Sequence, residues 1–398
     1  MFPSLLAGVG LVLLGVLVAV SFAAHPISFF SPILVTQPLL FPPSLSPTQP
    51  ASSSWRWTKP RRNIMFTKIP KTGSTTLFEV LNRVAEHSPG WRMAVPSNNA
   101  SKVNTCTTLP IGKQAWSQMV RDNGGRIDMF ASHACYRKSY MAHARSWSQK
   151  KPPVAITMMR HPLSHFVSKF RFAKVCCIDQ REWDWCQAFC TDAGPYTVER
   201  YVDYACGNGM CNEQKRYMGE GSTKTIIDSF FLVLILERFD ESLALLGVKL
   251  GLPTRALPYL QENANTLVPK PVISDEYREE LESKHMEYDV ALYRVATQRL
   301  DSMLAELTTQ EREEYDEVLH TLRFANQRAA NKCKPLCEAE LELSTQRKVC
   351  LDRCLTIVME EIWGREELGP VPSPTAKRPL SVSHKGDDED EDNDGNDD

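Results

Sequence analysis

The residues best suited to chemistry begin at Ile69, in the run Ile-Pro-Lys-Thr-Gly-Ser-Thr-Thr. An apolar, strand-like segment precedes it and a helix-like segment follows. The first amide N–H groups of a helix have no intrahelical acceptor, and the helix dipole at that end favours an anion. Gly73 allows the backbone to come close to such an anion. Thr72, Ser74, Thr75 and Thr76 bring hydroxyls, and Lys71 brings a positive charge. The run is not a Walker A loop, because its Lys precedes its only Gly instead of following the second of two. Alone, it reads equally well as a Ser/Thr-capped turn. A second constellation lies at Arg160-His161-Pro162-Leu163, with Ser168 two helical turns further on. Pro162 suits a first helical turn. Arg160 and Ser168 can meet one phosphate together, the Arg as a two-pronged donor. Without the first run, Arg160 would be read as half of a surface ion pair. Together the two segments suit a nucleotide carrying phosphate groups at two separate positions.

These groups need elements to hold them. Residues 62–69 read as a strand and 75–84 as a helix. Residues 153–159 form a second strand, leading into a helix over 162–172. Phe230 to Leu236 is a continuous apolar run, the pattern of a strand buried on both faces. Residues 275–307 are charged and helical in pattern. Strands alternating with helices predict an α/β fold, a P-loop-NTPase-like parallel sheet covered by helices. In such sheets ligands bind beyond the carboxyl ends of the strands, and both anion motifs sit at strand ends.

The 398 residues carry a formal net charge of −2, so nothing in the overall balance argues for nucleic acid. The charge is unevenly spread. No Asp, Glu, Lys or Arg precedes Arg56, while the last dozen residues are mostly acidic. Residues 5–24 are an uncharged apolar run of the length that spans a bilayer as a helix, predicting a signal-anchor after a cytoplasmic stub at 1–4. Cleavage as a signal peptide is the alternative. Residues 25–60 are rich in Pro and Ser and read as an extended stem. The acidic end, within 369–398, repels itself and should stay disordered. Twelve cysteines in close clusters point to disulfides in an oxidising compartment ahead of zinc, since no two-residue CxxC spacing occurs. Nothing in the sequence requires a metal. Cys333/Cys337 and Cys350/Cys354 are each four apart and so lie on one helical face. Two antiparallel helices over 326–368 could then be clipped Cys333–Cys354 and Cys337–Cys350, with Pro335 near a helix start. Asn99-Ala100-Ser101 is a sequon that suits a lumenal loop.

PKTGSTT resembles the 5′-phosphosulfate loop of the Golgi carbohydrate sulfotransferases. RHPLSHFVSKF resembles their 3′-phosphate segment, in which an Arg-Asp-Pro is followed by a Ser eight residues after the Arg. FLVLILERFDESL (231–243) is similar to a segment of the galactose 3-O-sulfotransferases, the galactosylceramide enzyme among them, and FANQR (324–328) resembles the same branch. Tyr204-Ala205-Cys206-Gly207 through Cys211 resembles a cysteine loop of the uronosyl 2-O-sulfotransferases and implies a Cys206–Cys211 bridge. The resemblance spans roughly residues 63–333, giving a catalytic domain over 61–325. Two departures stand out. His161 replaces the usual Asp, and Gly73 stands where Ala is frequent, an exchange expected to cost the loop nothing.

The resemblance implies a type II Golgi membrane enzyme with a lumenal body. It would move a sulfuryl group from 3′-phosphoadenosine 5′-phosphosulfate (PAPS) to a glycan or glycolipid acceptor, with galactose 3-OH favoured over uronic acid 2-OH. Both branches carry a His on a strand between the anion motifs, and His133 matches it; by chemistry alone His143 and His161 are its rivals. A neutral imidazole can take the proton of an attacking sugar hydroxyl. Lys71 would offset charge developing on the leaving phosphate oxygen. Two other readings are a P-loop phosphotransferase, disfavoured by the missing Walker A Lys, and a non-catalytic glycan-binding relative, disfavoured by intact Lys71, His133, Arg160 and Ser168. The sequence does not fix the oligomeric state.

Overall fold

The computed structural model describes residues 63–88, 91–94, 113–133, 135–136, 153–178, 197–260, 268–339 and 344–364. The expected anchor, stem, sequon and acidic tail, together with His143, lie outside the described residues. Among the described residues no helix is long and apolar enough to cross a membrane.

Five strands form one parallel sheet. In chain order they are β1 (Ile64–Thr67), β2 (Met93–Ala94), β3 (Met129–Ser132), β4 (Val154–Met159) and β5 (Leu232–Ile235). Their spatial order is β2-β3-β1-β4-β5, so the chain runs from β1 out to the edge at β2 and then back across the sheet through β3, β4 and β5. Every residue of β1, β4 and β5 is buried, as expected when helices cover both faces. Register places Thr67 beside both Ser132 and Thr157, and Met159 beside Ile235. The carboxyl ends of these four strands therefore share one edge.

Helix α1 (Ser74–His87) turns Leu77, Val80, Leu81 and Val84 to the sheet, the spacing of one helical face. Helix α2 spans Lys113–Asp122, and α3 spans Pro162–Ile178. Phe166, Phe170 and Ala173 of α3 pack against Val198, Tyr201, Val202 and Ala205 of α4 (Val198–Gly207), making a second apolar cluster. Two short helices follow, α5 (Glu213–Met218) and α6 (Thr223–Asp228). After β5 come α7 (Phe239–Leu250), α8 (Asp275–Glu280), α9 (Glu287–Ala305), α10 (Thr309–Ala339) and α11 (Ser344–Trp363).

The single helical stretch expected over 275–307 is broken by one π turn, Leu281–His285, closed by Met286 N–H donating to Leu281 C=O at 3.0 Å. The wider turn drops both Leu281 and Met286 into the α3–α4 cluster. The end of the chain matches the expected hairpin: Cys333 bonds Cys354 and Cys337 bonds Cys350. The Cys206–Cys211 bridge implied by resemblance is also present. Pro335 differs from expectation. It lies inside α10 instead of near a helix start. Cys333 and Cys337, bridged on either side of it, hold that turn against α11 while the proline withholds one backbone hydrogen bond. Helix α10 runs through residue 326 without a break. The two segments resembling the galactose branch meet here: Asn326 accepts from Tyr259 N–H at 2.8 Å and donates to Asp240 at 3.2 Å, and Tyr259 OH donates to Asp240 at 2.8 Å.

Candidate active site

The carboxyl edge of the sheet gathers the predicted groups. Residues 68–73 leave β1, His133 follows β3, Arg160 follows β4, and Glu237 follows β5. Parallel strands in register make this convergence unavoidable once the sheet forms.

The 69–76 run is a tight loop opening α1. Lys71 takes a left-handed φ of 62° and Gly73 one of 81°. No side chain caps the first turn of α1, so its amide N–H groups face the loop without a side-chain acceptor. Thr72 and Ser74 are buried, and both hydroxyls donate to Ile69 C=O, at 3.0 and 2.6 Å. They brace the loop from within, which leaves the backbone amides, Lys71 and the half-buried Thr75 as its outward donors. The Lys71 ammonium lies 4.2 Å from the Phe172 ring centroid, a cation–π contact that ties the loop to α3. Gly73 corrects one expectation. A Cβ there would sit 2.5 Å from Leu236 Cδ1 and 3.2 Å from Met158 Sδ, at a φ that L-residues avoid. In this chain an Ala at 73 is costly, chiefly because the left-handed φ strains an L-residue, with the Leu236 methyl also having to shift.

Arg160 is pinned at backbone and side chain alike. Its N–H donates to Gln214 Oε1 and its C=O accepts from Gln214 Nε2, both at 2.9 Å. Its Nη1 donates to Lys71 C=O at 3.3 Å, joining the two anion loops directly. Its Nε is buried and has no hydrogen-bond partner among the described residues. Burial pulls the guanidinium below its ordinary pKa, with nearby Glu237 opposing and Arg171 adding to the fall. A buried cation with an unsatisfied donor is suited to an incoming anion. Ser168 lies half-buried on α3, two turns from the strand end.

The histidines separate by environment. His133 Nδ1 lies 2.7 Å from Lys68 C=O. A carbonyl only accepts, so Nδ1 carries the proton and Nε2 is the basic nitrogen. Burial first, then the charge of Lys68, lowers the His133 pKa to about 4. The ring is thus neutral at physiological pH, as a general base must be. His161 faces away from that role. Its ring packs edge-on against Tyr293 at 5.3 Å and approaches Glu282 at 3.9 Å, and its N–H donates to Glu237 at 3.0 Å. A carboxylate from the end of β5 therefore meets the backbone of the turn at His161.

Sequence reasoning missed the group behind the two loops. His165, fully buried on α3, places Nε2 2.9 Å from Pro70 C=O and 3.5 Å from Glu213 Oε2. Lys169 Nζ lies 2.8 Å from the same carboxylate oxygen. Burial lowers the His165 pKa to about 4. Glu213 and Gln214 open α5, whose first amides at Gln214 and Lys215 donate to buried Asp289 at 3.2 and 2.7 Å. Asn212 accepts from the N–H groups of Tyr288 and Asp289, at 3.1 and 3.0 Å. The only signal available beforehand was the polar Asn-Glu-Gln directly after the Cys206–Cys211 loop.

A covered parallel sheet with cationic loops at the adjacent ends of β1 and β4, and a neutral imidazole at the end of β3 on the other side of β1, is an arrangement that suits an α/β transferase. The galactose-3-O-sulfotransferase family model matches residues 4–346, and the chain belongs to that family of carbohydrate sulfotransferases. No curated protein matches it. The crystal structure of a sulfotransferase from Alicyclobacillus acidocaldarius is similar at 16% identity, covering 63% of this chain and 99% of that one, with a TM-score of 0.31. A likeness that slight carries no argument about the site.

Proposed function

We propose that this enzyme transfers the sulfuryl group of PAPS to the 3-OH of a galactose residue in a glycan or glycolipid. The observation that carries the reading is the pair of anion loops joined through Arg160 Nη1 and Lys71 C=O. They suit a nucleotide with a 5′-phosphosulfate at the α1 N-terminus and a 3′-phosphate at Arg160. The buried, unpartnered Nε of Arg160 fits that second phosphate. Ser168 would add a hydroxyl to it.

His133 Nε2 accepts the proton of the acceptor hydroxyl as its oxygen attacks sulfur. The new S–O bond forms as the bond to the phosphate oxygen breaks, in line, as in phosphoryl transfer. Lys71 and the first amides of α1 stabilise the charge left on that phosphate oxygen. Galactose is favoured because the family match over residues 4–346 falls on that branch. The Cys206–Cys211 bridge supports a second reading, uronic acid 2-OH in a polysaccharide. The apolar run at 5–24 and the bridged cysteines support a type II anchor with a lumenal, Golgi-facing body. Radiolabelled sulfate from PAPS, offered with galactosides, galactolipids and uronic acid polymers, tests donor and acceptor together. Label on the 3-OH of galactose is expected; label on no glycan would overturn the assignment.

A further inference from the structure

We infer that Gln214 and His165 are positioning residues that set the separation of the two anion loops, and so make the enzyme select a nucleotide bearing a 3′-phosphate. This rests on the reading above. Gln214 is fully buried, and its amide brackets Arg160, accepting from the N–H and donating to the C=O. No other amino acid of similar shape does both. The backbone of Arg160 is thereby fixed just where β4 ends and its ladder bonds stop.

His165 supplies the second fixed point. It sits on α3, within the 3′-phosphate segment, yet its Nε2–H donates to Pro70 of the 5′ loop. Neutral and enclosed, it serves as a donor of fixed direction. Glu213, the neighbour of Gln214, closes the frame against His165 and Lys169. The frame is anchored in turn by Asp289 and Asn212, which tie the start of α5 to α9. One short helix thus holds the strand end carrying Arg160 and the helix reaching under Lys71. A donor with two phosphates must meet both at once, and a small misplacement forfeits the second contact.

The test uses the full-length protein and isothermal titration with adenosine 3′,5′-bisphosphate and adenosine 5′-monophosphate. Their affinity ratio measures what the 3′-phosphate adds. Gln214→Met, similar in volume but without the amide pair, is expected to shrink that ratio by about tenfold or more while changing monophosphate affinity little. His165→Leu should also shrink the ratio, with some loss of monophosphate affinity as well because its partner Pro70 belongs to the 5′ loop, and His165→Gln, which keeps a donor near the Nε2 position, should restore most of the ratio. A merely structural role would lower the melting temperature and leave the ratio unchanged, and an unchanged ratio in folded Gln214→Met or His165→Leu overturns the inference. Should Gln214→Met not fold, the two His165 variants decide. If the wild type itself binds the bisphosphate no better than the monophosphate, the functional reading fails, and the inference with it.

Discussion

The buried state of His133 makes a quantitative prediction about acid tolerance. An ordinary histidine titrates near 6.5, whereas here burial and Lys68 hold the imidazole down to about 4. At pH 5 an unperturbed ring would be only about 3% neutral, and this one about 90%, so a base of this kind keeps roughly thirtyfold more activity there. The assay is kcat/KM for PAPS from pH 4 to 8 at saturating acceptor, since limiting donor reports the nucleotide-free enzyme. The acid limb should fall well below 6. The second perturbation is Lys68→Met. It removes the like charge but keeps the backbone carbonyl that orients Nδ1, so the limb should move up toward neutrality. An NMR titration of the His133 ring, assigned by its loss in His133→Gln, should track the same midpoint. A limb near 6.5 that ignores Lys68→Met would refute the reasoning, and retained turnover in His133→Ala would remove His133 from the base role altogether.

The other predictions follow from single contacts. Gly73→Ala should destabilise by about 1–2 kcal/mol from the left-handed φ, with a smaller addition as Leu236 shifts, seen as a lower melting temperature and weaker nucleotide binding. Arg160→Ala should weaken adenosine 3′,5′-bisphosphate by about 10- to 100-fold or more in isothermal titration, the scale of charged hydrogen bonds. Lys71→Ala should cut kcat by about 100-fold or more, with radiolabelled transfer as the readout. Removing the Cys333–Cys354 bridge, which closes a separation of 21 residues, should cost about 3 kcal/mol, and peptide mapping without reduction should recover both hairpin bridges. Stability should also fall in mild acid. His133 and His165 both have depressed folded pKa values, so between pH 6.5 and 4 the unfolded chain binds protons the folded chain refuses. Each ring takes away about 1.4 kcal/mol per pH unit on the way down, and Asp289, whose carboxyl burial raises to about 7, opposes one of them, so urea melts across that window should show a net fall close to that of a single ring.

Much of the fold was legible because the chain states it redundantly. The apolar run over β5, the strand before Lys71 and the strand before Arg160 each carry a burial pattern that only a covered parallel sheet satisfies. The cysteine pairs at 333/337 and 350/354 encode an antiparallel hairpin by spacing alone, and that is the pairing found. What failed was local and set by tertiary contact. The π turn at 281–285 answers to a cluster on α3 and α4, far away in sequence, which no helical periodicity reports. Pro335 was placed by its own helix-breaking preference, yet two disulfides outweigh that preference.

The site divides along the same line. The groups proposed to act on the ligand, Lys71, His133 and Arg160, sit at strand ends, and strand ends are readable. The groups that hold them are not, because their partners are backbone atoms. Gln214 speaks to the N–H and C=O of Arg160, His165 to Pro70 C=O, Thr72 and Ser74 to Ile69 C=O, and His133 to Lys68 C=O. A carbonyl has no letter in the sequence, so a side chain that exists to hold one looks like any buried polar residue. The same fact gives the Thr72 and Ser74 hydroxyls a bracing contact to Ile69 C=O, while the N–H groups of both residues remain part of the loop. In the proposed site, where main-chain N–H groups would grip the anion, such residues act one step behind the ligand. Substitutions there should change selectivity before they change the fold.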